Sequence, residues 1–224
     1  MKKDKYMIKI LLTAILLSTQ LLASNISDFI NKNNCDQVID KQVLQICYSY
    51  KNKAALFVGY ELDGTLVNKE NIKKRASFYN EKTIPMKYRS KSSDYKKSGY
   101  DRGHLAPDAA FDYDKKVLRK TYTMANVIPQ VPRVNRYTWI KAERYARSIA
   151  YKLGTVTVIN GVIYSDNPKT IGKNKIAVPD AYWKMIVNDE HKFKKCFYYE
   201  NNNDIITKKD KLKQHQVECS TLMK

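Results

Sequence analysis

NVIPQVPRVNRYTWIKAERYAR, residues 126–147, is the stretch on which the architecture turns. Tyr122 to Ile128 reads as a short strand that ends at Pro129, and Asn135 to Leu153 has the length and composition of a helix closed by Gly154. Within the helix, Asn135, Trp139, Glu143 and Arg147 follow one another at four-residue steps. At about 3.6 residues per turn such steps form one slowly drifting stripe. An amide oxygen, an acid and a cation therefore share a face with one aromatic, while Ile140, Ala142, Ala146, Ile149 and Ala150 offer apolar contacts elsewhere around the helix. The same spacing also fits a plain amphipathic helix, with Asn135 as its N-cap and Glu143 paired with Arg147.

Outward from the helix the chain is rich in strands. Val43 to Tyr50 and Ala54 to Leu62, joined by Lys51-Asn52-Lys53, read as a hairpin. Thr155 to Tyr164 is strongly β-forming, with Asn160-Gly161 as a turn or bulge signal. Ile176 to Pro179, Tyr182 to Val187 and Phe193 to Glu200 add further strands. Asn68 to Gly99 is densely basic, nearly free of aliphatic runs and interrupted by Pro85, which marks a surface loop. The expected fold is α+β: a mixed, mainly antiparallel central sheet flanked by helices and long loops. One domain is expected over residues 24–224, with its core at about 43–200.

Composition, at 43% hydrophobic and 28% charged, excludes a low-complexity or disordered chain. Residues 1–23 stand apart: Lys2, Lys3, Lys5 and Lys9 precede an apolar run from Ile10 to Leu22, and Leu21-Leu22-Ala23 precedes Ser24. That is the pattern of a secretory signal, and it implies a periplasmic or secreted protein with no stable membrane insertion once the signal is cleaved. No later segment is apolar enough to span a bilayer. In an oxidising compartment Cys35, Cys47, Cys196 and Cys219 suggest two disulfides among three possible connectivities, and proximity in sequence favours Cys35 with Cys47 and Cys196 with Cys219. No close cysteine pair of the zinc-binding kind occurs. Formal net charge is +19, and removing residues 1–23, with four Lys and one Asp, leaves +16. A field of that size concentrates polyanions, nucleic-acid phosphates most simply and anionic envelope polymers as well.

Three histidines narrow the search for a base. His191 and His215 lie in Lys-rich surroundings and read as surface residues, whereas His104 belongs to Tyr100-Asp101-Arg102-Gly103-His104-Leu105-Ala106-Pro107. A neutral imidazole removes a proton from attacking water, an arginine neutralises a phosphate oxygen, and glycine allows close approach of backbone to substrate. The same residues also make an ordinary turn in which Asp101 pairs with Arg102. On the helix, the Asn135 carbonyl oxygen with Glu143, directly or through water, would suit a hard cation such as Mg²⁺ that keeps several of its own waters.

Taken in order, Asp101-Arg102-Gly103-His104, Asn126-x-x-Pro129-Gln130 and Asn135-x3-Trp139-x3-Glu143-x3-Arg147 resemble the DNA/RNA non-specific endonucleases of the ββα-metal superfamily. The resemblance runs from about Cys47 to Phe197 and includes Val178-Pro179-x3-Trp183-Lys184. It implies a ββα-metal finger, with His104 as general base and Asn135 as the one direct protein ligand to a single hydrated Mg²⁺, for which Mn²⁺ can substitute. It further implies Glu143 holding the ion's water shell, Arg147 on the leaving-group side, Arg102 on phosphate charge, and Arg75 as the upstream phosphate-binding arginine. Substrates would be DNA and RNA, met through their phosphate backbone. Asn80 departs from the family, where an acid is common, and so does Tyr137, where a Gly often follows the metal-ligand pair. Two other classes fit less of the pattern: a basic protein that binds nucleic acid or envelope polyanions without cutting them, and a sequence-specific or colicin-like nuclease.

Overall fold

In the computed structural model, residues 26–222 are described; the expected signal segment, residues 1–23, lies outside them. Seven strands pair antiparallel in the order β1-β2-β3-β6-β9-β10-β11. They are β1 (Gln37–Asp40), β2 (Gln45–Ser49), β3 (Ala54–Leu62), β6 (Val156–Ile163), β9 (Ala181–Asn188), β10 (Phe193–Glu200) and β11 (Gln216–Val217). Outside this sheet, β4 (Asp101–His104) pairs with β5 (Val127–Gln130), and β7 (Thr170–Ile171) pairs with β8 (Ile176–Ala177). The architecture is the expected α+β one.

Period-two alternation divides the sheet's residues between two faces. Val58, Tyr60, Val158, Tyr182, Ile186 and Tyr199 join the main core, against which the long helix Ile140–Leu153 presses Ala142, Ala146, Ile149 and Ala150. Their neighbours Ile159, Trp183, Met185, Val187 and Cys196 form a second cluster covered by Ile26, Phe29, Val217 and Leu222. All eight residues of β9 are buried as a result. The disulfides are Cys35–Cys47 and Cys196–Cys219, the pairing that proximity favours.

Several local expectations give way to tertiary packing. Asn160-Gly161 does not turn the chain; β6 runs straight through it. The Asn160 side chain donates to Val58 O at 3.0 Å and accepts from Lys184, so its polarity is used inside the sheet rather than in a turn. Gly161 is needed for contact: a Cβ there would lie 2.1 Å from the Trp183 ring. Strand β5 starts only at Val127, because Met124–Asn126 forms a 3-10 turn after the helix Lys115–Thr121. His215 is no free surface residue, since its ring stacks on Tyr199 with centroids 3.9 Å apart and its Nε2 lies 2.5 Å from Asp210. Asp210 also takes Lys141 of the long helix at 2.6 Å, which ties the C-terminal segment to it.

Candidate active site

Strands β4 and β5 run antiparallel with Asp101 opposite Gln130 and His104 opposite Val127, and the chain then turns into the long helix. Pro132 begins the helical run, a position where its missing N–H costs nothing. Val134–Trp139 then form a wider, π-helical turn before regular helix resumes at Ile140. Asn135 thus lies inside the helix and is not its N-cap. Asn201 fastens this corner, accepting from Val131 N at 2.8 Å and donating to Pro129 O at 3.0 Å and Pro179 O at 2.9 Å. Asn126 does the same beyond β4: its amide accepts from Ala106 N and donates to Ala106 O, each at 2.9 Å, fixing the chain that leaves His104.

Asp101 does not pair with Arg102. Its carboxylate takes Arg136 through two bonds, 2.7 Å from Nε and 2.6 Å from Nη2, and takes Asn135 Nδ2 at 2.9 Å. With its amide nitrogen held there, Asn135 keeps an Oδ1 that no hydrogen bond among the described residues engages. Gly103 is buried, and a Cβ would stand 2.1 Å from the Gln130 side chain, so the strand pair itself requires a glycine there.

His104 is half-buried between two aromatic rings. Phe78 stacks on it with centroids 5.2 Å apart, and Tyr122 meets it edge-on at 4.9 Å. Its Nε2 is buried without a hydrogen-bond partner. Burial pushes the imidazole pKa down to about 4; Asp108 opposes that shift, and Arg75 and Arg102 reinforce it. The ring is therefore neutral near pH 7, as a proton acceptor must be.

Arg102 also packs against the same phenyl ring, its guanidinium 4.9 Å from the Phe78 centroid and its Nη1 2.6 Å from Ser92 Oγ. Arg75 reaches the cluster from the preceding loop, with Nη2 3.1 Å from Asp112 and Nε 3.5 Å from Asp108. Asp108 also accepts from Tyr122 Oη at 2.5 Å. That loop is docked by backbone bonds from Tyr79 N to Tyr122 O and from Met124 N to Tyr79 O. Asn80 is exposed, and the neighbouring acid, Glu81, is the buried one, meeting Lys41 at 2.5 Å and Thr123 Oγ1 at 3.0 Å.

On the helix, Glu143 is half-buried, and burial pushes its carboxyl up to about 7 against the opposing fields of Lys184 and Arg147. Arg147 makes no ion pair with it; its Nη1 is buried without a hydrogen-bond partner. The field of Asp108 acts on both His104 and Glu143. Tyr137 stands exposed in the π-helical turn. Buried polar atoms without partners cluster in the finger, at His104, Gln130, Trp139 and Arg147, with Tyr182 beneath. Such orphans are uncommon in native folds, and each calls for a partner such as a water, an ion or a ligand.

No cluster of three or more His, Cys, Asp or Glu side chains suited to a metal occurs among the described residues. A cation here would be held by few protein atoms and many waters. The donors present, Asn135 Oδ1 and the Glu143 carboxylate, are both oxygen, which fits a hard divalent ion.

Sequence reasoning missed Phe78, Tyr122 and Asp108, whose meeting around the imidazole depends on the docking of a loop. It also missed Asp101 as the partner of Asn135, and Lys184 below Glu143. Asp108, four residues after His104, left the only local signal.

A family model described as DNA/RNA non-specific endonuclease matches residues 23–224. Over 161 residues the chain is 28% identical to mitochondrial endonuclease G of Homo sapiens, with 67% of this chain and 54% of that protein covered. It is 33% identical over 153 residues to mitochondrial endonuclease G of Caenorhabditis elegans, covering 62% and 50%. With a nuclease of Nostoc sp. it shares 32% over 146 residues, covering 64% and 52%. The chain thus spans about half the length of these curated relatives. A chain in the crystal structure of the EndoG/EndoGI complex superimposes with a TM-score of 0.78 at 25% identity, over 90% of this chain and 89% of that one.

Proposed function

We propose, because this chain belongs to the DNA/RNA non-specific endonuclease family, that it is an exported endonuclease that hydrolyses phosphodiester bonds of DNA and RNA without strong sequence preference, using one hydrated divalent cation, Mg²⁺ or in its place Mn²⁺. The observation that carries this reading is the pair of buried, unpartnered atoms, His104 Nε2 and Arg147 Nη1, in a finger that also presents a free Asn135 oxygen.

His104, neutral at physiological pH, takes the proton of the attacking water through Nε2, and the Phe78 and Tyr122 rings restrict the imidazole to one plane. Asn135 Oδ1 would hold the cation directly, its orientation fixed because Asp101 binds the amide nitrogen. Glu143 would accept hydrogen bonds from the cation's waters. When bound, the ion offsets charge on the phosphate and the leaving oxygen. Arg147 donates to the leaving side, and Arg102 and Arg75 neutralise phosphate oxygens, with Arg75 exchanging its present carboxylate partners for the substrate. Every contact of this kind is to backbone, which supports action on DNA and RNA alike. Export is supported by two disulfides and by the signal-like residues 1–23. The endonuclease G relatives are described as mitochondrial.

Incubating the purified protein with plasmid DNA and with RNA, in Mg²⁺ or in EDTA and beside His104→Ala, tests the reading. A smear of products that EDTA abolishes, and that the variant makes at least about a hundredfold more slowly, is expected. Binding without chelator-sensitive cleavage would make the protein a polyanion binder, and discrete fragments would make it a sequence-specific nuclease.

A further inference from the structure

Among the described residues Lys184 is the one lysine with no solvent exposure. It stands in β9 between Tyr182 and Ile186, on the face that meets the long helix, where an apolar side chain would otherwise be expected. Asn160 of β6 lies directly across the strand pair, and its Oδ1 accepts a hydrogen bond from Lys184 Nζ. The Tyr60 hydroxyl is 3.5 Å from Nζ, and the Trp139 ring centroid is 4.5 Å away. These groups solvate an ammonium ion without cancelling its charge. Among the described residues no carboxylate comes within ion-pair distance of it.

A buried amine keeps its proton only where an opposing charge offsets the loss of water; burial pushes Lys184 down to about 7, and the Glu143 carboxylate opposes that shift. Glu143 is the acid whose field reaches Lys184, and it follows Trp139 by one helical turn. The one aromatic of the polar stripe is thus the surface on which the sheet's ammonium group rests beneath the helix. Arg147, a further turn along, adds a second cation on the same stripe.

We propose that Lys184 is a positioning residue whose amino group, held by Asn160, Tyr60 and the Trp139 ring one helical turn from Glu143, sets the orientation of the Glu143 carboxylate toward the cation's water shell. Lys184 touches neither substrate nor cation and acts through Glu143. The inference rests on the reading of Glu143 given above. It also gives a use to the Val178-Pro179-x3-Trp183-Lys184 segment that the catalytic roles leave unexplained.

The test is a double-mutant cycle read by calorimetric titration of the full chain with Mn²⁺. The four proteins are the unaltered protein, Lys184→Gln, Glu143→Gln and the double variant, each with its thermal unfolding recorded. Lys184→Gln keeps an amide donor for Asn160 and drops the charge. It is expected to weaken Mn²⁺ binding about 10-fold or more, as loss of an outer partner does. In the Glu143→Gln background the same change should have less than about a twofold effect, because its route of action is gone.

Unchanged Mn²⁺ affinity in Lys184→Gln, or an equal loss in both backgrounds, would overturn the proposal. Should Lys184→Gln fail to fold, Lys184→Met with Asn160→Leu removes charge and acceptor together, and the same two results decide. Plasmid cleavage by the unaltered protein separates the two readings. Chelator-sensitive cleavage with an additive cycle rejects the role of Lys184 alone. A protein that neither binds Mn²⁺ nor cleaves rejects both.

Discussion

Replacing Asp101 with Ala removes the carboxylate that holds Asn135 Nδ2 at 2.9 Å and Arg136 at 2.6 and 2.7 Å. The cost in stability is modest, because the Arg136 side chain is 60% exposed and solvent screens the pair. One hydrogen bond to Asn135 adds about 1 kcal/mol. The effect on cation binding is larger in proportion. While Asp101 is present, a flipped Asn135 amide would set two oxygens against each other, so one orientation is enforced. Without it the amide has two orientations and about three χ1 wells, roughly six states of which one coordinates. That corresponds to roughly a sixfold loss from freedom alone, near the lower end of the 10- to 100-fold range typical of outer partners. Mn²⁺ titration of Asp101→Ala should therefore show a weakening of about 10-fold with a loss of about 1 to 2 kcal/mol in stability. Arg136→Ala, which leaves the Asn135 bond in place, should weaken it less than about threefold. The reasoning is refuted if Asp101→Ala binds Mn²⁺ within twofold of the unaltered protein, or if the two variants weaken it equally.

The acid limb of kcat/KM that belongs to His104 should lie near pH 4, because a base whose pKa is depressed fails only on acidification, and in a Glu143→Gln background, which removes the carboxyl that titrates near 7, kcat/KM should stay level from about pH 8 to pH 5; an acid limb near 6.5 in that background would show that burial does not set the basicity of His104. The unfolded imidazole titrates near 6.5, so this residue also lowers stability as pH falls from there toward 4 and leaves it unaffected above, which urea titrations at stepped pH would detect. Gly161→Ala forces a methyl group to within 2.1 Å of Trp183 and should cost about 1 to 3 kcal/mol of stability while the folded fraction keeps its specific activity. Breaking the disulfides by Cys→Ser pairs should cost about 3 kcal/mol each, slightly more for Cys196–Cys219 with its separation of 23 residues than for Cys35–Cys47 with 12, and equal midpoints in oxidised and reduced protein would contradict this.

Legibility in the sequence followed the range of the interaction. Asn135, Trp139, Glu143 and Arg147 could be read together because helical period is local, and the hairpin of β2 and β3 because alternation is local. The π-helical turn at Val134–Trp139 left no such mark, since a single turn of i→i+5 closure has no residue period of its own to read. The ordinary-turn alternative pairs Asp101 with Arg102, the nearest cation in sequence, whereas its partners Asn135 and Arg136 arrive from 34 and 35 residues away. The Asn160-Gly161 pair shows the opposite error, a strong turn signal overruled by Lys184 and Trp183 on the adjacent strand. Strand β1, with only one of its four residues buried, gave no hydrophobic pattern to read.

The most direct measurement is a crystal structure of the protein with Mn²⁺ and a non-hydrolysable dinucleotide analogue. Anomalous density about 2 Å from Asn135 Oδ1, with the central phosphate analogue between that ion and His104 Nε2, is the predicted result. An ion bound elsewhere, or a phosphate analogue that the imidazole does not face, would contradict the account.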